Sequence, residues 1–332
     1  MKKLFVLLAC AATMVACSKD YVVNADKGDA IEFGSFVENS TRAADPSYSG
    51  NDITAFKLYG TVNGVSIFNG ANVTKDDEYG KAWAVTNDQG DEIKQYWIPE
   101  ANYKFVGIVD GQKNGVTTTT IVDNMPTAIE YTADGATDLL CQTIDYTAIS
   151  AAKVAAGDKN PIVAFNFTHL LSKVNFTVVN NSKDAAGYSF VVKNITFNGA
   201  TKATYDVVNA GWVTPATATG NTVLGNERTV DLNTVKDIVV ASGAASTELG
   251  TEVLFIPGEY TISFTVDILY NDQLVTTTNY PAAGNTYTHT LAANNAYNFN
   301  VNVAVGQLIE FTVTKQPTWT DGDGADDTTL LE

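Results

Sequence analysis

Very few side chains in this 332-residue sequence are equipped for chemistry. Its two histidines, His169 in FNFTHLL and His289 in YTHTL, lie in apolar, strand-like surroundings with no nucleophile motif beside them, and each reads as a satisfied structural histidine. Cys141, in DLLCQTI, has no histidine or basic neighbour to lower its pKa and reads as a small buried hydrophobe. No GxSxG, HExxH, CxxC, phosphate-loop or GxGxxG arrangement occurs. In the acidic tail DGDGADD (321–327), Ala325 stands where a calcium loop needs its fifth-position ligand, so that stretch reads as a solvated tail. The expectation is a chain that is not an enzyme, with no cofactor and no metal.

Two other positions carry processing chemistry instead. The chain opens MKKLFVLLACAATMVAC: two lysines, a thirteen-residue apolar run from Leu4 to Ala16, then Cys17. That run is too short to span a bilayer as a helix and has the form of an export signal. Met14-Val15-Ala16-Cys17 resembles the bacterial lipobox, in which the cysteine thiol is acylated and becomes the new N-terminus. Methionine stands where leucine is more usual. The second position is Arg42, one of only two arginines, in the polar stretch ENSTRAADPSYSGND (38–52). Proline, glycine and asparagine there predict an exposed loop that a trypsin-like protease can reach.

Composition bounds the rest. The net charge is −17, and loss of Lys2 and Lys3 with the signal leaves −19, which argues against nucleic acid or an anionic membrane surface as partner. After processing only Cys17 and Cys141 remain, and an acylated Cys17 cannot form an internal disulfide, so the core must hold the fold. The length exceeds the ~250–300 residues at which single cores stop growing, which predicts two domains.

Strand signals dominate from Ala30 onward, in ITAFKLYGTV (53–62), YKFVGIV (103–109), VAFNF (163–167), KVNFTVVN (173–180), SFVVKNITF (189–197), YTISFTVDILY (260–270), YNFNVNVAV (297–305) and LIEFTVT (308–314). The best helix candidate is Tyr146–Ala156, and the turn signal GDKNP (157–161) behind it marks the domain cut. An internal echo, Phe-Asn-Gly-Ala at 68–71 and 197–200 with WIPEANYKF matching FIPGEYTISF, suggests two copies of one sandwich-like unit. A second echo links the ends of the chain: Ile31-Glu32-Phe33 recurs as Ile309-Glu310-Phe311. In 308–314 the alternate set Ile309, Phe311 and Val313 is wholly apolar and predicts the buried face. Tyr48, Tyr79 and Trp212 are aromatics open to ligand recognition, with core packing the commoner use of tryptophan.

The lipobox, the IEF…STRA segment, YWIPEANYKFVG (96–107), DLLCQ (138–142), FNFTHLLSKVNFTV (165–178), VLFIPGEYTISFTV (253–266) and LAANNAYNFNVNV…IEFTVTKQPTWTDG (291–322) together resemble the fimbrillin family of Bacteroidota surface pili. That resemblance implies an all-β fold of two tandem transthyretin-like β-sandwich domains. It divides the chain into a lipoprotein signal peptide (1–16), a propeptide with the first strand (17–42), an N-terminal domain (43–160) and a C-terminal domain (161–332) with a donor strand at 308–314. It also implies lipidation at Cys17 and outer-membrane attachment before cleavage. An arginine-specific protease then cuts between Arg42 and Ala43, and the product polymerises with itself or other fimbrial subunits by β-strand exchange, as part of a surface fimbrium supporting adhesion. Two alternatives stay open: a tip or accessory subunit, and a non-polymerising surface lipoprotein that binds a glycan or host ligand. It is equally open whether 308–314 donates to a neighbour or stays in its own sandwich.

Overall fold

A computed structural model describes residues 29–37, 53–75, 83–109, 115–182, 186–214, 219–224, 238–241, 246–248, 252–305 and 309–316. The chain begins with β1 (Phe33–Val37), β2 (Ala55–Val62), β3 (Val65–Lys75), β4 (Trp83–Thr86), β5 (Asn102–Val109), β6 (Thr117–Val122), β7 (Met125–Thr132) and β8 (Leu140–Thr147), then a short helix α1 (Ala151–Ala155). It continues with β9 (Val163–His169), β10 (Ser172–Asn180), β11 (Tyr188–Ala200), β12 (Lys202–Asp206), β13 (Gly211–Val213), β14 (Thr219–Leu224), β15 (Ile238–Val240) and β16 (Ser246–Glu248). The last strands are β17 (Val253–Phe255), β18 (Gly258–Tyr270), β19 (Gln273–Tyr280), β20 (Thr288–Leu291), β21 (Asn295–Val303) and β22 (Glu310–Gln316). Among the described residues no helix is long and apolar enough to cross a membrane.

Alternation builds the layers. In β18, Tyr260, Ile262, Phe264 and Val266 are buried and the residues between them face outward, as the period of two requires. They meet Phe190, Val192 and Phe197 of β11, beside them in the same six-stranded sheet, and Val174, Phe176, Phe299 and Val301 across from it. The latter come from a five-stranded sheet, β16-β10-β21-β22 with β17 beside β10. The first half instead forms one seven-stranded sheet, β1-β9-β8-β5-β2-β3-β4, curled around a core of Phe56, Leu58, Phe68, Phe105, Phe165 and Phe167. Gly107 lets two rings approach: a Cβ there would lie 2.8 Å from Phe167 and 2.9 Å from Phe165.

A fourth sheet, of four strands, β13-β12-β7-β6, joins the halves, because β7 pairs antiparallel with β12. Beneath it Val106, Ile108, Ile129 and Tyr131 pack with Ala203, Tyr205, Leu254 and Ile256 in a shared core. The division at 160/161 therefore does not coincide with a sheet boundary. Strand β9 lies beyond it, yet pairs with β1 and β8 and sends Phe165 and Phe167 into the first core. The helix is also shorter than Tyr146–Ala156: Tyr146 belongs to β8 and packs edge-on to Trp97 at 5.1 Å, and Ser150 caps only the turn that follows.

The Phe-Asn-Gly-Ala echo does not mark equivalent places. Segments β3 and β5 are separated by β2, whereas their counterparts β11 and β18 are direct neighbours. The geometric repeat is a tyrosine corner. The Ile98 N–H donates to the Tyr103 hydroxyl at 2.7 Å, and the Ala292 N–H donates to the Tyr297 hydroxyl at 2.9 Å. Three residues before each tyrosine, Glu100 and Asn294 take positive φ, 62° and 57°.

Candidate strand-exchange site

Two edge strands carry the repeated Ile-Glu-Phe. The first is β1, at the end of the seven-stranded sheet and parallel to β9, with Phe33 opposite Val163 and Val37 opposite Phe167. Before β1 the chain is already zipped to the 95–97 segment: the Ile31 N–H donates to the Gln95 carbonyl at 2.8 Å and the Trp97 N–H to that of Asp29 at 3.0 Å. Ile31 and Phe33 are 7% and 4% exposed, while Glu32 between them faces solvent. The Phe33 ring sits in an aromatic nest, 5.5 Å from Phe68, 5.6 Å from Phe105 and 6.4 Å from Phe165. Sequence reasoning found the strand but missed this nest, whose members come from three separate strands.

The second edge is β22, antiparallel to β21, with Phe311 opposite Val301 and Glu310 opposite Asn302. Ile309, Phe311 and Val313 face inward, half-buried against the second core. Phe311 lies 5.0–6.0 Å from the rings of Tyr287, Tyr280, Phe264, Phe299 and Phe176. The opposite face is polar: Asn300 donates to Thr314 at 3.2 Å and Asn302 to Thr312 at 3.4 Å. Both copies of Ile-Glu-Phe therefore point the same way, apolar residues in and glutamate out.

The other sequence candidates have structural surroundings. His169 Nδ1 bonds to the Asp138 carboxylate at the end of β9. Cys141 is buried, and desolvation pushes its thiol up to about 12, so it carries negligible thiolate at neutral pH. Trp212 donates to the Leu170 carbonyl at 2.8 Å and packs against Tyr131 and Tyr205, which is core packing. Cys17, Arg42, Ala43, Tyr48, Tyr79 and the 321–327 tail lie outside the described residues. Among the described residues no group of three or more His, Cys, Asp or Glu is placed to hold a metal ion.

His289 departs from the expectation of a satisfied histidine. It is wedged between Tyr297 and Phe299, at 5.3 and 5.4 Å, and its buried Nε2 has no hydrogen-bond partner. Desolvation holds its pKa below the ordinary value. The unfolded chain thus takes up a proton below pH ~6.5 that the folded chain resists, so stability falls as pH drops through that range. Thermal melts between neutral and mildly acidic pH are expected to show this loss, and His289→Phe to flatten it.

Comparison with known proteins now adds the decisive observation: the model of a family described as fimbrillin-like matches residues 41–317. The chain belongs to the fimbrillin-like family. Solved structures share the fold. A fimbrial protein from Bacteroides vulgatus is 14% identical, with TM-score 0.59 over 88% of this chain and 99% of that one. Putative cell adhesion proteins from Bacteroides uniformis and Bacteroides ovatus are each 16% identical, with TM-scores of 0.51 and 0.52. They cover 88% and 89% of this chain and 99% of theirs. No curated protein matches. As a fimbrillin-like chain it is a non-enzymatic subunit of a cell-surface appendage that associates with other fimbrial subunits.

The fimbrillin-like match starts at residue 41, eight residues after Phe33, so the segment carrying β1 lies ahead of it. Phe33→Ala is expected to destabilise the full-length chain by about 3–5 kcal/mol, as buried aromatic truncations do. A urea melt of the full-length chain measures this.

Proposed function

We propose that this chain is a fimbrial structural subunit exported as a lipoprotein on Cys17, cut after Arg42, and polymerised by β-strand exchange. Release of residues up to Arg42 removes β1 and leaves β9 as a bare edge above an apolar groove. Unfilled, that groove forfeits about 1.5–3 kcal/mol for each of Ile31 and Phe33, and it exposes unpaired backbone groups as well. The β22 strand of another subunit then supplies Ile309, Phe311 and Val313 in their place, a β-strand addition. The observation that carries this reading is the edge position of β1, with Ile31 and Phe33 buried and the same inward-outward pattern in β22.

One observation favours a second reading. Strand β22 is docked on β21 in its own sheet, which suits a tip or accessory subunit, or a surface lipoprotein that keeps its strand. N-terminal sequencing of the protein recovered from assembled fimbriae separates the first reading from a surface lipoprotein that keeps its strand. A start at Ala43 supports cleavage and exchange, and a lipidated Cys17 in the assembled material overturns it.

A further inference from the structure

Strand β18 is flanked by two irregularities at one level. On one side its ladder with β11 slips between Lys193 and Thr196, and Asn194 within the bulge takes φ of 54°. On the other, β19 makes its last pair at Phe264 with Tyr280, and β20 resumes the ladder only at Thr261 with Thr288. Between these breaks the outward residues of β18, centred on Ser263, floor an open depression of about 410 Å³ rimmed by Asn194, Asn279 and the loop from Pro281 to Thr286. Bulges recur next to binding sites because they re-aim side chains out of a regular ladder.

The lining chemistry selects a ligand class. No residue of the lining is charged, on a chain of net charge −17. A phosphate, carboxylate or amine would find no counter-charge there. The hydroxyls and carboxamides each donate and accept, and two of them are held in place. The Thr265 hydroxyl donates to Asn279 Oδ1 at 3.2 Å, and the Thr196 hydroxyl to the Asn194 carbonyl at 3.1 Å. Pro281, Ala282 and Ala283 give the depression an apolar side. We propose that this depression binds neutral saccharides, whose ring hydroxyls meet the amide and hydroxyl wall and whose C–H face meets Pro281 and its neighbouring alanines. The site stands independently of the fate of β1.

Saturation-transfer NMR on the full chain tests this, with the methyl glycosides of glucose, galactose, mannose, fucose and N-acetylglucosamine as probes and sialyllactose as the anionic comparison. At least one neutral glycoside is expected to receive saturation. Ser263→Phe, which fills the depression from an exposed position, is expected to weaken that binding by about tenfold or more, the factor that ~1.4 kcal/mol represents. Asn279→Ala, which adds no bulk, is expected to weaken it in the same direction while leaving the thermal melt unchanged. The proposal is overturned if no neutral glycoside responds, if sialyllactose responds more strongly than all of them, or if binding survives both substitutions.

Discussion

Arg42→Ala is expected to abolish polymer while leaving export and folding intact. With the peptide bond after residue 42 uncut, β1 stays in the seven-stranded sheet, its Phe33 ring held by Phe68, Phe105 and Phe165. An incoming strand would have to displace a tethered one, and intramolecular pairing wins that contest by its effective concentration, in the millimolar range for short tethers. Size-exclusion chromatography of surface-released protein reads the outcome directly. Monomer alone is the expected result, and high-mass polymer from this variant would mean that cleavage does not gate assembly.

Phe311→Asp is expected to block polymerisation as completely, for a different reason. An aspartate at this position places an unpaired charge among five aromatic rings in the free subunit, and in the vacated groove of a neighbour it would face the Phe33 nest. Burying an unpartnered polar group costs about 2–7 kcal/mol, and a charge costs more. Because β22 is an edge strand whose inward face is only half-buried, its undocking leaves the sandwich of β10, β21, β11 and β18 closed. Circular dichroism with a thermal melt should therefore show a folded monomer with a modestly lowered transition. Loss of the whole second half of the melt would place β22 among the strands its own domain needs, and would count against donation.

The parts of the fold that were legible in the sequence are those where one strand face is buried and the other wet. Tyr260–Tyr270, Tyr297–Val303 and Glu310–Gln316 announce themselves by alternation, and the inward set Ile309, Phe311 and Val313 follows from the same period. The four-stranded sheet was not legible, because β6 reads TTTTIV with almost no apolar period and its partners come from both halves of the chain. Alanine-rich composition suggested a helix from Tyr146, but Ile144 and Tyr146 pack onto the first core and burial outweighs propensity there. Likewise the boundary near 160 followed a turn signal, whereas β9 was recruited backward by β8 and β1. The saccharide depression depends on a register slip at Asn194 that only pairing with β18 creates. The Ile-Glu-Phe echo was visible in the sequence, but that both copies lie on sheet edges with the same side inward was not.

Cysteine trapping in assembled fimbriae tests the central claim most directly. If Ile309-Glu310-Phe311 takes the place of Ile31-Glu32-Phe33, Thr312 falls where Gly34 lies, opposite Ala164 of β9. In the free subunit Thr312 lies opposite Asn300 instead. Strand partners of this kind come within the ~4.4–6.8 Å Cα separation a disulfide requires. The account predicts that Ala164→Cys/Thr312→Cys fimbriae run as a ladder of disulfide-linked multimers on a non-reducing gel. Monomers alone from that variant, with Asn300→Cys/Thr312→Cys closing within each chain of the assembled material, would contradict it.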